Sequence, residues 1–263
     1  MTTVSVIIAT WNRSASLERA VRSALSQSHP PLEVLVCDDG STDDTEQVVR
    51  SFGDSRVIWL PGERAGRPAI PRNRGIGNSR GEWLAFLDDD DVWLPEKLEI
   101  QLLEAARQPC RAVCSDAWRV RPSTASGAET LIGGHGRVLT FNAMLAGNPV
   151  ICSSMMLKRE VAAATGGFPE RQELAAIEDY ALWLRVADVT DIAYLACPLI
   201  SYTDDPGASI RRNGVTVFRQ RQLVMDSFIA WKRDNGWWSS LNYWKVRALI
   251  IRERLALCRA ESK

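Results

Sequence analysis

Four consecutive aspartates, Asp88 to Asp91, follow a short apolar run at residues 83–87. The apolar run is typical of a buried strand, and Pro95 then indicates the start of a helix. Adjacent carboxylates repel one another, so an isolated fold gains no stability from four of them side by side. A solvated acidic turn is one explanation. A divalent cation explains the cluster better, because Mg2+ and Mn2+ prefer carboxylate oxygens and α/β sheets bind ligands at strand ends.

The composition is that of a soluble globular protein and excludes several classes. Of the 263 residues, 46% are hydrophobic and 24% are charged, and 32 basic residues balance 32 acidic ones. We therefore expect one large domain and no nucleic-acid partner. Six cysteines without a CxxC pair, and only two histidines, argue against a structural zinc site. Without a signal-peptide pattern or a run of membrane-spanning length, the expected location is the cytoplasm.

Strand and helix patterns alternate along the N-terminal part of the chain. Strands are predicted at residues 4–9, 32–37, 56–60 and 83–87, with helical patterns between them. Further strands are predicted near residues 111–120 and 192–201. This alternation indicates an α/β fold with a mostly parallel central sheet flanked by helices.

A second acidic pair, Asp38 and Asp39, follows the second predicted strand. The carboxyl ends of parallel strands share one rim, so this pair and the aspartate run are expected to converge. Helix capping could explain the pair alone. Two convergent clusters suit a nucleotide whose diphosphate carries a metal ion. The sequence contains neither the GxGxxG fingerprint of dinucleotide-binding folds nor a P-loop pattern.

Four linked segments resemble the family 2 glycosyltransferases of the GT-A fold. In order, they are Val4-Ser5-Val6-Ile7-Ile8-Ala9-Thr10-Trp11-Asn12-Arg13, Val36-Cys37-Asp38-Asp39-Gly40-Ser41-Thr42-Asp43, Arg72-Asn73-Arg74-Gly75 and Phe86-Leu87-Asp88-Asp89-Asp90-Asp91. A later segment, Glu178-Asp179-Tyr180-Ala181-Leu182-Trp183-Leu184-Arg185, is similar to the ED motif of that family. The resemblance fades further on and does not extend over the C-terminal helices.

The resemblance implies a nucleotide-sugar site on the donor side. Asp39 would contact the base, with Asp38 and the turn at Ala9 and Thr10 beside it. Further contacts with the nucleotide sugar are expected from Asn12, Arg72, Asp88 and Asp89.

The resemblance also implies a metal ion, Mn2+ or Mg2+, that holds the diphosphate. Asp90 is the expected ligand, and Asp88 lies closer to the ribose or serves as a second ligand. Because four aspartates run together, the register stays open and Asp89 could share either task.

Asp179 is the catalytic base that the resemblance implies, with Glu178 and Trp183 in supporting roles. Asp179 falls in the first turn of a predicted helix, where a carboxylate also interacts favourably with the helix dipole. As a base it would remove the proton of an acceptor hydroxyl that attacks the anomeric carbon. A single displacement of this kind inverts the anomeric configuration.

Residues 202–209 resemble the family segment in which a histidine often stands two residues before a glycine. Here Asp205 occupies that position. Either Asp205 is an oxygen ligand that replaces the imidazole, or the metal lacks this contact. Arg211 and Arg212 follow, on a loop that could close over the diphosphate or form a solvated basic turn.

The chain is predicted to consist of a GT-A domain at residues 1–210 and a helical C-terminal extension at 211–263. Within the domain, residues 1–110 form the nucleotide-sugar-binding half and 111–210 the acceptor half. The last helix carries an apolar seam flanked by basic residues and preceded by Trp237 and Trp238. The seam consists of Leu241, Trp244, Ala248, Ile251, Leu255 and Cys258. Such a helix could pack on the catalytic domain, form a homodimer or lie on the inner face of a membrane; packing on protein is favoured.

The predicted function is an inverting, metal-dependent glycosyltransferase that uses a nucleotide-diphosphate sugar. A UDP-sugar is the expected donor because uridine is the most frequent base in the family that the chain resembles. The expected acceptor is a hydroxyl group of a saccharide, a lipid-linked molecule or another compound. The expected process is the biosynthesis of a polysaccharide, a lipopolysaccharide or another glycoconjugate. A sugar nucleotidyltransferase is the alternative enzyme, but it would carry a glycine-rich basic loop after the first strand, where this chain has Thr10-Trp11-Asn12-Arg13. A catalytically silent binding module is the third hypothesis, and the intact acidic residues argue against it.

Overall fold

The computed structural model describes residues 2–121, 129–133, 138–205 and 216–261, with side chains described as far as Glu253. Ten strands are present in these ranges: β1 (Val4–Thr10), β2 (Glu33–Asp38), β3 (Val57–Leu60), β4 (Trp83–Asp88), β5 (Val92–Trp93), β6 (Ala112–Val120), β7 (Glu129–Thr130), β8 (Val138–Leu139), β9 (Met156–Lys158) and β10 (Ile192–Thr203). The helices are α1 (Ser14–Leu25), α2 (Thr45–Ser51), α3 (Ala69–Asn78), α4 (Lys97–Arg107), α5 (Phe141–Ala146), α6 (Arg159–Thr165), α7 (Glu178–Val189), α8 (Val217–Asp234) and α9 (Leu241–Glu261). Two short 3-10 helices lie at Cys152–Ser154 and Gln172–Leu174.

The strands form one mixed sheet in the order β3-β2-β1-β4-β9-β6-β10-β5. The long ladders are parallel: β1 pairs with β2 and β4, β2 with β3, and β6 with β10. The antiparallel pairs involve short strands, such as β9 between β4 and β6. The predicted α/β sheet with flanking helices is therefore present, and one sheet runs through both predicted halves. The predicted boundary at 210 lies outside the described residues.

The central strands are buried on both faces, which explains their continuous apolar sequences. Along β1, Ile7 belongs to the core on one side of the sheet, whereas Val6 and Ile8 belong to the core on the other side. Helix α1 covers the second side, and helices α3, α7 and α8 contribute to the first. Two apolar layers therefore fix the sheet from both sides.

Strand β1 is the point where the strand order reverses, because β2 pairs on one side of it and β4 on the other. In register, Thr10 lies opposite Asp38, and Ala9 lies opposite Asp88. Ligands of open α/β sheets bind in the crevice outside the carboxyl ends of strands at such a point. The topology thus brings both acidic clusters to one rim.

Helix α3 packs unusually close to the sheet because of Gly75. A Cβ atom at this position would lie 2.6 Å from Ile7 Cγ2 and 2.8 Å from Cys37 Sγ. The helix begins at Ala69 and contains Pro71 in its first turn. Proline is tolerated in the first turn of a helix, since its missing N–H has no intrahelical partner there.

Helix α8 packs on α7 and so attaches the C-terminal segment to the catalytic part of the chain. Phe228 and Trp231 of α8 lie in the same core as Trp183 of α7. Lys232 forms a buried ion pair with Asp188, and Asn242 of α9 donates a hydrogen bond to the same carboxylate at 2.9 Å. Helix α8 is therefore packed on the part of the chain that was predicted to be the catalytic domain.

Helix α9 packs through a different face from the seam that its sequence suggested. Tyr243, Val246 and Ile250 are buried, whereas the seam residues Leu241 and Trp244 are exposed. Ala248 and Ile251 are exposed as well, and the side chains of Leu255 and Cys258 lie outside the described residues. The favoured expectation that this seam packs on protein is wrong for its described residues. Helix α9 has two apolar faces, and residue spacing alone does not show which of them is buried. In the described parts of the chain, no helix has the length and apolar content that crossing a bilayer requires.

Candidate active site

A cleft of about 580 Å³ opens at the carboxyl ends of β1 and β4. Its walls come from the turn after β1, the aspartate run, the start of α3, the start of α7 and the end of β10. The predicted site residues that line it are Ala9, Thr10, Asn12, Asp39, Arg72, Asp88, Asp89, Asp90, Glu178, Asp179 and Asp205. Residues far apart in sequence therefore converge on one cleft, from both predicted halves.

The first three carboxylates of the aspartate run alternate in exposure. The side chains of Asp88 and Asp90 are 29% and 33% exposed, whereas that of Asp89 is 8% exposed. Asp88 and Asp90 are therefore the pair that presents oxygens to the cleft. Burial and the negative charge of Asp88 raise the pKa of Asp90 above its ordinary value.

Asp91 points away from the cleft and holds the turn together. Its carboxylate accepts a hydrogen bond from Ser153 Oγ at 2.5 Å and another from the backbone N–H of Thr203 at 2.9 Å. Thr203 Oγ1 in turn donates to the carbonyl oxygen of Asp90 at 2.5 Å. Burial raises the pKa of Asp91 well above its usual range, and the charges of Asp88 and Asp90 add to the shift. Of the four aspartates, Asp88, Asp89 and Asp90 line the cleft, and Asp91 does not.

Arg13 supplies the positive charge that faces the aspartates. Its Nη1 lies 3.0 Å from Asp89 Oδ1 and 2.8 Å from Asp90 Oδ2. Thr10 Oγ1 donates a second hydrogen bond to Asp89 at 2.8 Å. Asp89 therefore links the turn after β1 to the acidic turn, although burial still raises its pKa to about 6.

Arg72 bridges the two sides of the cleft. Its Nη2 lies 2.6 Å from Asp88 Oδ1, and its Nη1 lies 2.7 Å from Glu178 Oε1. The guanidinium also lies over the ring of Phe168, 5.2 Å from its centroid. Arg72 and Glu178 are both buried, so the ion pair between them is shielded from water, whereas Asp88 stays partly exposed to the cleft. Arg72 thus ties the end of β4 to the first turn of α7.

Asp39 anchors the loop that covers one end of the cleft. Its carboxylate accepts hydrogen bonds from the backbone N–H groups of Ala65 and Gly66, each at 2.9 Å, and is paired with Arg64. The Arg64 guanidinium also stacks over the Trp11 ring at 3.6 Å from its centroid. Asp39 thus lies at this end of the cleft beside the stacked Trp11 ring and Arg64 guanidinium.

Asp38 and Asn12 have turn-stabilising roles in the structure. The carboxylate of Asp38 accepts hydrogen bonds from the N–H groups of Gly40 and Ser41, each at 3.0 Å, and it does not line the cleft. Asn12 lines the cleft, but its Oδ1 accepts the N–H of Thr42 at 2.7 Å. Both residues therefore stabilise turns beside the cleft, because these side-chain oxygens already accept hydrogen bonds from the backbone.

Asp179 lines the same cleft as the aspartates, at the start of α7. It is half-buried in the first turn of α7, and its Oδ1 accepts the N–H of Tyr180 at 2.7 Å. Burial and the adjacent negative charge of Glu178 raise its pKa to about 7. A carboxylate with such a pKa exchanges protons near neutral pH, which suits a general base. The favourable helix-dipole position and the base role are compatible.

Backbone strain is concentrated at the cleft. Among the residues that the structure describes, two non-glycine residues have positive φ, Asn12 at 50° and Ala176 at 69°. Both line the cleft. Such conformations cost of order 1–3 kcal/mol and cluster at functional sites, where the surrounding structure imposes them.

Trp183 lies behind the cleft and not within it. Its ring packs 5.8 Å from Phe86 and 5.7 Å from Phe168, and it is fully buried. The aromatic cluster fixes the start of α7 against β4 and supports Arg72 from below. Its predicted supporting role is therefore one of packing.

Asp205 lines the cleft and is exposed. Its assignment to a metal ion stays a prediction. Arg211 and Arg212 lie outside the described residues, and so does the loop that was expected to close over the diphosphate.

The donor atoms in the cleft fit a hard divalent cation held jointly by protein and ligand. In the described ranges, no group of three His, Cys, Asp or Glu side chains has the arrangement of a complete metal site. Two carboxylates that face the cleft, Asp88 and Asp90, leave the other positions to phosphate oxygens and water. Mg2+ is commonly bound in this way.

Sequence reasoning did not assign several basic and aromatic residues of the cleft. Trp11 and Arg13 lie in the first segment that resembles the family. The aspartate run could have indicated that a cationic side chain such as Arg13 lies nearby. Arg64 and Arg67 occur in a loop whose position over the cleft depends on hydrogen bonds to Asp39, so sequence spacing gave no signal. Cys152 reaches the cleft through the 3-10 helix below Arg72.

Comparisons with known proteins agree with this geometry. Residues 5–164 match the model of the Glycosyl transferase family 2. The chain is 31% identical over 186 residues to UDP-Glc:alpha-D-GlcNAc-diphosphoundecaprenol beta-1,3-glucosyltransferase WfaP of Escherichia coli, covering 71% of this chain and 70% of that protein. It is 30% identical over 193 residues to the putative teichuronic acid biosynthesis glycosyltransferase TuaG of Bacillus subtilis, covering 73% and 74%.

Among solved structures, S. aureus TarS 1-349 in complex with UDP-GlcNAc superposes with a TM-score of 0.70 at 20% sequence identity. The superposition covers 88% of this chain and 66% of that one. This likeness concerns the fold, and it extends beyond the segment that the family model matches.

Proposed function

Because this chain belongs to glycosyl transferase family 2 and is a glycosyltransferase, we propose that it transfers a sugar from a UDP-sugar to an acceptor hydroxyl. The proposed transfer inverts the configuration at the anomeric carbon and takes place in cell-envelope glycan synthesis. The predicted family membership and the GT-A fold are confirmed by the family match and the structural likeness. Relatives are named for cell-envelope glycans, which supports the process. The donor, the metal and the stereochemistry belong to the proposal.

One observation carries the proposal: donor-side and acceptor-side carboxylates share a single cleft. Asp39, Asp88 and Asp90, which we assign to a donor wall, line this cleft together with Asp179, which we assign to an acceptor wall. A transferase needs this division, because one wall must hold the leaving nucleotide while the other activates the acceptor. Holding both reactants in one cleft converts their encounter into a step within a complex.

The donor wall suits a nucleoside diphosphate. The aromatic face of Trp11 and the carboxylate of Asp39 can receive a base through stacking and an N–H···O hydrogen bond. Binding of a base there requires the Arg64 guanidinium to leave the Trp11 ring. Arg13 supplies positive charge beside the expected diphosphate position, and Asp88 is held in place by Arg72.

A Mn2+ or Mg2+ ion at Asp88 and Asp90 would neutralise the negative charge that develops on the diphosphate. The chain's own contribution is to orient these two carboxylates. Arg72 fixes Asp88, Arg13 contacts Asp90, and the buried carboxylate of Asp91 holds the turn between β4 and β5.

Asp179 is proposed to accept the proton of the acceptor hydroxyl. Its carboxylate is held by the first turn of α7, and the Arg72–Glu178 ion pair fixes that turn relative to Asp88. The attacking oxygen forms a bond to the anomeric carbon while the bond to the diphosphate breaks from the opposite face. A single displacement with the base and the leaving group on opposite walls inverts the configuration.

A lipid-linked diphosphate saccharide is the proposed acceptor class. WfaP is named for a diphosphoundecaprenol-linked acceptor, and it aligns with 71% of this chain. The proposed location is therefore the inner face of the cytoplasmic membrane.

A nucleotide panel tests the donor and the metal together. UDP, GDP, dTDP and CDP are each added with Mn2+ or with EDTA, and the melting temperature is measured. We expect UDP with Mn2+ to raise it, because a ligand at a hundredfold excess over its Kd stabilises the native state by about 2.7 kcal/mol. The Asp90→Ala variant should lose the metal-dependent part of the shift.

The matched control is Asp234→Ala, which removes an exposed carboxylate at the end of α8. This variant should keep the full shift. Equal stabilisation by UDP with Mn2+ and with EDTA would contradict metal dependence. A larger rise in melting temperature with another nucleotide would identify that nucleotide, and not UDP, as the carrier of the donor sugar.

The pH dependence of transfer should report Asp179. The base works only in its deprotonated form, and its pKa is raised to about 7. We therefore expect kcat/KM to fall about tenfold per pH unit below neutral pH and to level off above it. A profile measured at saturating metal that stays flat between pH 5 and pH 7, roughly the range below the raised pKa, would contradict the assignment.

A further inference from the structure

Exposed large hydrophobic side chains concentrate in the last two helices and the turn between them. Beyond residue 216 they are Val217, Phe218, Trp237, Trp238, Leu241, Trp244 and Ile251. Elsewhere in the described residues such side chains occur singly, as Leu103 does on α4. Exposed apolar side chains mark an interaction site where they form one contiguous patch.

Four of the exposed residues of α9 lie on one side of the helix, which we call the outer face: Leu241, Trp244, Ala248 and Ile251. Their spacing of three, four and three residues places them along one stripe. Tyr243, Val246 and Ile250 lie on the opposite side and are buried. The outer face is therefore additional to the face through which α9 packs, and the protein core does not need it.

Basic residues border the outer face on both sides. At about 100° per residue, Lys245 and Arg252 fall on one border and Arg247 on the other. All three are exposed, and the Arg247 guanidinium lies over the Trp244 ring at 5.5 Å from its centroid. The single acidic residue of 241–253 is Glu253, which pairs with Arg221 at 3.1 Å. The face is therefore apolar along its centre and positive along its borders.

We propose that the outer face of α9 docks this enzyme on the surface of an anionic phospholipid bilayer. Apolar and indole side chains insert at the level of the headgroups, and the bordering cations contact lipid phosphates. Trp237 and Trp238, both exposed in the turn before α9, extend the surface at its N-terminal end. Tryptophan suits this depth because one part of its ring system is apolar and its N–H can remain hydrated.

Charge favours a bilayer over a second copy of the chain. Two outer faces that met about a twofold axis would bring Lys245, Arg247 and Arg252 of both copies into one interface. The same face offers no free carboxylate within 241–253 to balance them. A negatively charged lipid surface supplies the missing counter-charge.

The docking surface deepens the proposed function, on which its use in the reaction rests. Asp188 near the end of α7 holds both α8, through Lys232, and α9, through Asn242. Asp179 lies at the other end of α7. A membrane that holds α9 would therefore hold the base at a fixed height above the lipid that carries the acceptor.

Sedimentation with vesicles tests the proposal without an activity measurement. The full chain is mixed with vesicles of phosphatidylcholine alone, or with vesicles that also contain phosphatidylglycerol. We expect binding to the anionic vesicles that weakens as salt is raised. Ile251→Glu should reduce the bound fraction at least tenfold, and Lys245→Gln with Arg247→Gln should weaken it about fivefold per charge removed.

Leu103→Glu is the matched control, since Leu103 and Ile251 are both 53% exposed. It should bind vesicles as the unchanged chain does, and unaltered melting temperatures show that the variants fold. Absence of binding to anionic vesicles overturns the proposal, as does an equal loss for Leu103→Glu. A dimer in solution that Ile251→Glu converts to monomers also overturns it, in favour of self-association. Because no donor is present, these results are independent of the donor and metal assignments.

Discussion

The Asp179→Asn variant is expected to lose transfer activity by about 10²- to 10⁴-fold, the usual contribution of a positioned general base. The amide keeps the shape of the side chain but cannot accept the proton of the acceptor hydroxyl. Donor binding should not change, because the donor contacts lie on the opposite wall of the cleft. The measurements are initial rates at saturating donor, together with the UDP-induced rise in melting temperature.

The control for this substitution is Glu173→Gln, the same carboxylate-to-amide change at an exposed position just before α7. It should leave the rate within about twofold, as is usual for surface substitutions away from a site. Full transfer activity in Asp179→Asn would exclude Asp179 as the base. Loss of UDP binding in the same variant would instead assign the residue to the donor site.

The Arg72→Met variant is expected to lower the free energy of unfolding by about 3–5 kcal/mol, because it leaves Glu178 buried and without its cation. Glu178 Oε2 already has no hydrogen-bond partner in the described structure, so loss of the Arg72 contact at Oε1 leaves the carboxylate unsatisfied. Asp88 loses its partner at the same time. Thermal and urea unfolding measure the change.

Two further variants make the interpretation specific. Arg50→Met breaks an exposed ion pair with Glu46 on α2, and exposed pairs of this kind contribute about 0.3–0.5 kcal/mol. Adding Glu178→Gln to Arg72→Met removes the orphaned charge and should recover part of the lost stability, which a double-mutant cycle quantifies. If Arg72→Met were no more destabilising than Arg50→Met, the ion-pair bridge would not be a buried interaction.

The donor half of the fold was predictable because local sequence and topology agree there. Strands β1, β2 and β4 are buried on both faces, so each reads as a continuous apolar run. Parallel pairing of these strands then places their carboxyl ends on one rim. The convergence of the two acidic clusters followed from these two facts alone.

The remainder depended on contacts that sequence does not encode locally. Strand β9 is three residues long and owes its place to pairing with β4 and β6. Asp38 and Asp39 are adjacent and chemically identical, yet one stabilises a turn and the other lines the cleft. The side chains of a strand end point to opposite faces, so the choice depends on where the chain turns next.

The expectation that the apolar seam of α9 packs on protein was wrong for a related reason. An apolar stripe shows that a face is buried or bound, but it does not show by which surface. Helix α9 has one stripe for its own protein and a second that stays exposed, and only the packing against α8 distinguishes them.

The Arg72 bridge has a consequence for the design of chimeric enzymes. Exchanging the acceptor half for that of a relative is an obvious route to a new acceptor preference, since the two halves contact different substrates. The exchange would also replace Glu178, the partner of an arginine that stays behind in the donor half. A hybrid without an acidic residue at this position would inherit an unbalanced buried cation. The recombination point is therefore best chosen so that Arg72 keeps an acidic partner at position 178, and not by the domain boundary alone.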